Sequence, residues 1–101
     1  MDVSKYFNQT ALYKRYKKTL GNGKKAYEDG VNVKLRLEQT RRKDLTEAGG
    51  VQTINGFFMT KLQNIQIGDI FEYNGRAYEV VSTEEVIDKK ARFIYTEGDL
   101  K

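Results

Sequence analysis

An all-β fold is the architecture this sequence predicts, a small closed β-barrel or compact sandwich of five to six short antiparallel strands, and three observations predict it. Residues 67–81, Ile-Gly-Asp-Ile-Phe-Glu-Tyr-Asn-Gly-Arg-Ala-Tyr-Glu-Val-Val, spell a β-hairpin. Asn74-Gly75 supplies the two positive-φ residues of a type I′ turn, whose twist matches that of the strands it joins. Residues 31–38 alternate apolar and polar without a break, the period of a half-buried strand. The chain also lacks proline and marks its turns with glycine, the punctuation of short strands rather than long helices. Closure suits a chain of 101 residues, because a barrel leaves no unpaired edge to recruit another chain.

Taken in order, residues 1–8 carry Val3, Tyr6 and Phe7 at i, i+3 and i+4, the spacing of one short amphipathic helical turn, and a docked tail fits the same residues. Residues 9–20 read as a strand, because Gly21-Asn22-Gly23 follows at once and the rest of the chain is β-like. A helix is the competing reading there, since Leu12, Tyr16 and Leu20 recur at i+4. Gly30 ends a turn, and over residues 31–38 Val31, Val33, Leu35 and Leu37 are expected to face the core. Then the pattern lapses. Residues 39–56 form a polar segment with Arg41-Arg42-Lys43, Gly49-Gly50 and Asn55-Gly56, expected as a long flexible loop with room for a short strand near 51–54. Loops of that length are more often functional or disordered than connective.

Phe57, Phe58 and Met59 open the next strand, which runs toward Leu62. In the hairpin, Tyr73 should lie opposite Arg76, Glu72 opposite Ala77 and Phe71 opposite Tyr78, with aromatic pairing and an Arg-aromatic contact on one face. Gly68-Asp69 marks a tight approach to the first hairpin strand. Residues 82–90 are acid-rich and read as a loop or turn, and residues 91–95 as the last strand, with Phe93 and Tyr95 on one face. A single domain over residues 1–101 is expected.

Composition narrows function more than any motif does. Cysteine and histidine are both absent, which removes disulfides, the usual zinc ligands, the Ser-His and Cys-His nucleophilic pairs and the commonest general base. The chain is therefore not expected to be an enzyme, and no catalytic, cofactor-binding or metal residue is assigned. Asp69, Glu72, Glu79, Glu84, Glu85 and Asp88 lack the spacing of a paired-carboxylate or calcium site. Gly21-Asn22-Gly23-Lys24-Lys25 lacks the spacing and trailing Ser or Thr of a phosphate loop, and reads as a hairpin turn. No apolar run nears the roughly 18 residues of a membrane helix and no signal pattern opens the chain, so a soluble, unsecreted protein without a membrane partner is expected.

Charge is unevenly divided. Residues 1–43 hold twelve basic and four acidic residues, a net of +8, whereas residues 44–101 hold six and ten, a net of −4, which together make +4. Such a chain is suited to meet nucleic acid with its basic half, or copies of itself head to side in a ring. Lys14, Arg15, Lys17 and Lys18 lie beside Tyr13 and Tyr16, combining cations for phosphate with aromatic faces for bases. That makes a small β-barrel nucleic-acid-binding protein one reading, although the residue pattern of an RNA recognition motif is missing. The bland alternative is a solvated strand whose tyrosines pack inward.

Over nearly its whole length the chain resembles the small head-closure, or head-tail connector, proteins of tailed bacteriophages, also known as minor capsid proteins in prophages of Gram-positive bacteria. The resemblance rests on Thr10-Ala11-Leu12-Tyr13 and on the alternating strand 31–38 with the long segment after it. It rests above all on the close, Ile67-Gly68-Asp69, Tyr73-Asn74-Gly75 and Tyr78-Glu79-Val80-Val81. It implies a virion protein, assembled in the host cytoplasm, that forms a ring below the portal and its adaptor after DNA packaging. Its partners would be the portal-adaptor protein, a tail-terminator or tail-completion protein, and neighbouring copies of itself.

The resemblance further implies that residues 39–55 reach the central channel, where Arg41, Arg42 and Lys43, with Gly49 and Gly50 for flexibility, meet packaged double-stranded DNA. In this chain the basic triplet is followed by Asp44 and Glu47. Around a ring, complementary charges on one chain can meet, so Lys14, Arg15, Lys17 and Lys18 are expected to face Glu84, Glu85 and Asp88 of a neighbour.

Overall fold

The computed structural model describes residues 4–45 and 51–101. After a 3-10 turn at Ser4–Tyr6 come nine strands: β1 (Gln9–Lys14), β2 (Tyr16–Thr19), β3 (Lys25–Tyr27), β4 (Val31–Leu45), β5 (Val51–Thr60), β6 (Ile70–Tyr73), β7 (Arg76–Glu79), β8 (Glu84–Ile87) and β9 (Phe93–Leu100). Seven form one antiparallel sheet in the order β7-β6-β1-β4-β5-β9-β8, and β2 and β3 form a separate two-stranded sheet. No α-helix occurs among the described residues. The helical turn expected over residues 1–8 is not seen; the single 3-10 turn stands there instead, and it leaves Phe7 buried and Tyr6 half exposed.

The 67–81 hairpin folds in the register its sequence dictates, with Phe71 opposite Tyr78, Glu72 opposite Ala77 and Tyr73 opposite Arg76. Asn74 and Gly75 take φ of 51° and 76°, the paired positive values of the type I′ turn. The Arg76 guanidinium lies 4.8 Å from the centre of the Tyr78 ring. In β4, Leu35 and Leu37 are buried while Lys34, Arg36 and Glu38 are exposed. Val31 departs from the expected pattern at 56% exposure: it pairs with Tyr13 at the last rung of the β1-β4 ladder, at the rim of an open cleft that it shares with Arg15, Glu28 and Asp29.

The sheet curls into a half-barrel and does not close, which corrects the closed barrel expected from the sequence. Its order ends on β7 at one side and β8 at the other. Across the open side, residues 79–82 are stitched to the end of β9. Glu79 and Lys101 exchange backbone hydrogen bonds of 3.1 and 2.8 Å, and Val81 N donates to Asp99 O at 3.0 Å. Inside the curl, Phe58, Phe71, Tyr13, Tyr78, Leu35, Val80 and Leu100 form one buried cluster. The Phe71 ring is its hub, 5.0 Å from Phe58 and 5.2 Å from Tyr13, centre to centre.

Three further expectations are revised. Residues 9–20 are two strands rather than one, broken at Arg15. Residues 82–90 contain strand β8, and the last strand runs on to Leu100. The long loop expected over 39–56 is largely strand: β4 continues to Leu45 and β5 begins at Val51, in register from Leu45 with Val51 to Gln39 with Gly56, apart from a bulge between Gln39 and Arg42. Among the described residues no other strand lies beside them, because β1 pairs with β4 only as far as Leu35 and β9 with β5 only from Gly56. Burial still alternates along this part of β5, with Ile54 and Gly56 buried and Thr53 and Asn55 half-buried, but of these inward positions only Ile54 carries a large apolar side chain, too little for a period-2 signal in the sequence.

Candidate functional site

Two basic features sit at the two ends of the β4 ladder, and a buried carboxylate positions one of them. The first is the ribbon of residues 39–45 and 51–56, an arm that leaves the half-barrel where Gln39 pairs with Gly56. Its base is anchored by Gln39 Nε2, which donates to the Tyr78 hydroxyl at 3.0 Å. Beside it, Gln39, Thr40, Asn55 and Arg76 line an open cleft of about 520 Å³. Arg42 and Lys43 stand on the arm opposite Ile54 and Thr53, with Arg41 in the bulge before them. Gly49 and Gly50 lie outside the described residues.

The second feature is the β2-β3 hairpin. It turns through Gly23 at φ 84°, and Tyr16 and Tyr27 pair at its root, their rings 5.9 Å apart and edge to face. Asp69 fixes where this hairpin leaves β1. Its side chain is wholly buried and accepts from three donors: Tyr16 N at 2.8 Å through Oδ1, and Gln66 N at 2.8 Å and the Tyr13 hydroxyl through Oδ2. The break at Arg15 follows from this, because the Tyr16 amide is bound to the carboxylate instead of continuing the ladder. Gly68, at φ 99°, makes the turn that brings Asp69 inward.

Burial, together with the bond to Asp69, raises the Tyr13 hydroxyl from its ordinary pKa of 10 to about 12. Up to about pH 10 the neutral phenol is favoured in folded and unfolded chains alike, so this contribution to stability is complete. It is lost as pH rises toward 12, where the unfolded chain ionises first. Between pH 9 and 11.5 the stability advantage of the parent over Tyr13→Phe should fall by about 2 kcal/mol, at about 1.36 kcal/mol per pH unit. Urea unfolding of both proteins across that range checks it, and parallel pH profiles would refute it.

The charges singled out in the sequence have different fates. Lys14 is paired with Glu72 at 2.8 Å. The Arg15 guanidinium carbon lies 5.9 Å from the Tyr13 ring centre, and Lys17 and Lys18 are exposed. Glu84 and Glu85 are exposed on β8, and Glu85 Oε2 accepts from Asn64 N at 3.1 Å. Asp88 instead caps its own turn, accepting from Lys90 N at 2.8 Å and Arg92 N at 3.0 Å and pairing with Arg92 Nε at 2.9 Å. The Arg92 backbone N–H, and after it that of Lys90, hold the Asp88 carboxyl below its usual range.

Glu72 and Glu79 both hold ion pairs, Glu72 with Lys14 and Glu79 with Lys25 at 3.1 Å and Lys101 at 3.7 Å. Among the described residues no group of three or more Asp or Glu is placed to hold a metal. Sequence reasoning missed Gln9 altogether. Its side-chain amide continues the β1 ladder, accepting from Leu37 N at 2.8 Å and donating to Leu37 O at 3.3 Å. Only its place at the head of an apolar strand hinted at this. Compared with known proteins, the chain matches no protein-family model, and no curated protein matches it in sequence.

Proposed function

We propose that the chain is a structural, non-enzymatic component of the head-tail connector of a tailed bacteriophage. Copies form a ring below the portal and its adaptor, close the capsid after DNA packaging and offer the tail its docking surface. The observation that carries this reading is the arm: a paired ribbon with a basic triplet in its sequence, held at its base by a half-barrel built to stay rigid. From Gln39 to Leu45 the ribbon extends about 20 Å, at about 3.3 Å per residue, a reach that suits insertion into a channel. The triplet supplies charge for phosphate without reading sequence, as a protein that holds any packaged DNA requires. The resemblance of the sequence to head-closure proteins points the same way.

The test is to add the purified protein to a portal-adaptor assembly of the same genome and look by electron microscopy for an extra ring, with free DNA as the control. An added ring supports the reading, and its absence at saturating protein refutes it. The triple variant Arg41→Glu/Arg42→Glu/Lys43→Glu is expected to form that ring while heads closed with it leak packaged DNA at least tenfold faster. Leakage at the parent rate would remove the arm's role in holding DNA.

A second reading, a nucleic-acid-binding protein, draws on the exposed lysines and tyrosine pair of the β2-β3 hairpin. It requires binding to free duplex or single-stranded DNA that weakens steeply as salt rises.

A further inference from the structure

We infer that the β2-β3 hairpin of one copy docks on the β8 edge of the next, with Lys17, Lys18 and Lys24 facing Glu84, Glu85 and Glu97. The inference deepens the connector reading and rests on it for the side-by-side arrangement of copies. Residues 14–25 hold six basic residues and no acid. Three of the six are engaged inside the chain: Lys14 with Glu72, Arg15 against Tyr13, and Lys25 with Glu79. Lys17, Lys18 and Lys24 are exposed, and among the described residues none has an ion-pair partner. They share a hairpin that is not part of the main sheet, so they stand together on a projection whose direction Asp69 sets.

The β8 edge carries the opposite charge. β8 ends the seven-stranded order, leaving its outer edge without a strand among the described residues. In its ladder with β9, Glu84 lies directly opposite Glu97. Carboxylates so placed are roughly 5 Å apart at Cβ and repel, which costs stability in the isolated chain. Neither has an ion-pair partner among the described residues, and a cation brought to them would relieve the repulsion. The Tyr95 hydroxyl records the same negative field, its pKa raised by burial and then by Glu97 and Glu84.

Asp88, by contrast, is taken up by its own turn and drops out of the expected contact. Charge on a short edge strand guards it against indiscriminate pairing. Here the charge also selects a partner, and the surface with the opposite sign is the hairpin of another copy. Because the two patches differ, the contact is heterologous and propagates around a ring.

The experiment is carbodiimide cross-linking of an equal mixture of ¹⁵N-labelled and unlabelled protein at high concentration, read by mass spectrometry. Expected are mixed-isotope links between Lys17, Lys18 or Lys24 and Glu84, Glu85 or Glu97. Their yield should fall at least tenfold between 0.1 M salt, where the screening length is about 10 Å, and 1 M, where it is about 3 Å. Lys17→Glu/Lys18→Glu/Lys24→Glu alone, and Glu84→Lys/Glu85→Lys alone, should each lose association by sedimentation. An equimolar mixture of the two should regain it, because each reversed patch meets its opposite.

Absence of the mixed-isotope links, or undiminished association of either variant, would overturn the contact. Rings on the portal-adaptor assembly without these links would also overturn it while leaving the connector reading intact. Links in solution with no such ring would support the contact and count against the connector. A duplex oligonucleotide bound through the three lysines, without links between copies, would overturn the contact and assign the hairpin to nucleic acid.

Discussion

Replacing Asp69 by alanine is expected to destabilise the protein by about 4 kcal/mol, since it removes the acceptor of the buried Tyr13 hydroxyl and of the part-buried Tyr16 and Gln66 amides, and each unsatisfied buried group costs about 1–3 kcal/mol. The Tyr13 hydroxyl and the Tyr16 and Gln66 amides all bond this carboxylate, and the residue itself has no exposed surface. The damage should extend past stability. Without the carboxylate the β1-β2 break loses its Tyr16 anchor and is left to the bond from Glu28 N to Arg15 O at 2.8 Å, so the hairpin bearing Lys17, Lys18 and Lys24 is held less firmly in its direction. Asp69→Asn keeps the volume and an acceptor oxygen but turns an NH₂ toward donors, and should lose about half as much.

Urea unfolding followed by tyrosine fluorescence measures both variants. Amide hydrogen exchange at Tyr16 and Gln66 should quicken in both before the rest of the sheet is affected. An Asp69→Ala protein within about 1 kcal/mol of the parent, the ordinary scatter of surface substitutions and mild core changes, would mean that the three bonds are replaced by other partners and that Asp69 is not the latch.

Gly98→Ala should cost about 3 kcal/mol, the upper part of the usual range for overpacking. Gly98 lies within β9 opposite Phe58, and a Cβ there would press into the Ser82 carbonyl and come within 2.9 Å of Phe58 Cε1. The first obstacle is backbone, which cannot rotate away, and the second is a ring at the centre of the core. Relief requires residues 79–82 to move off β9, and these residues carry the stitch across the open side of the half-barrel. The variant should therefore expose Val81 and Asp99 amides to exchange and lower the urea midpoint. An unchanged midpoint would show that the stitch yields without cost. By comparison Gly30, where an added Cβ would meet the Leu12 side chain, Cγ at 2.5 Å and Cδ1 at 2.7 Å, should tolerate alanine better because the obstacle is a side chain that can change rotamer and not backbone.

What could be read from the sequence was local. The Asn74-Gly75 turn determines its own twist, the twist determines register, and so Phe71 against Tyr78 followed without knowledge of any other element. The inward Leu35 and Leu37 followed in the same way, because alternation on a strand with one buried face records that face directly. The charge asymmetry and the basic run at 14–18 were likewise plain in composition.

What only the tertiary structure decided depends on residues far apart in the chain. Asp69 is a hub because Tyr13 and Tyr16, 56 and 53 positions away, fold onto it, and no pattern around Asp69 announces that. The arm looked like a loop because its inward positions on β5, Ile54 and Gly56, offer one large apolar side chain between them, so pairing left no apolar period behind. Closure was decided the same way. The sequence by itself set the strand-forming tendency and one hairpin, but whether the sheet's ends meet depends on how residues 79–82 fit against β9 around Gly98, a contact between side-chain volume and backbone that exists only once the sheet has curled.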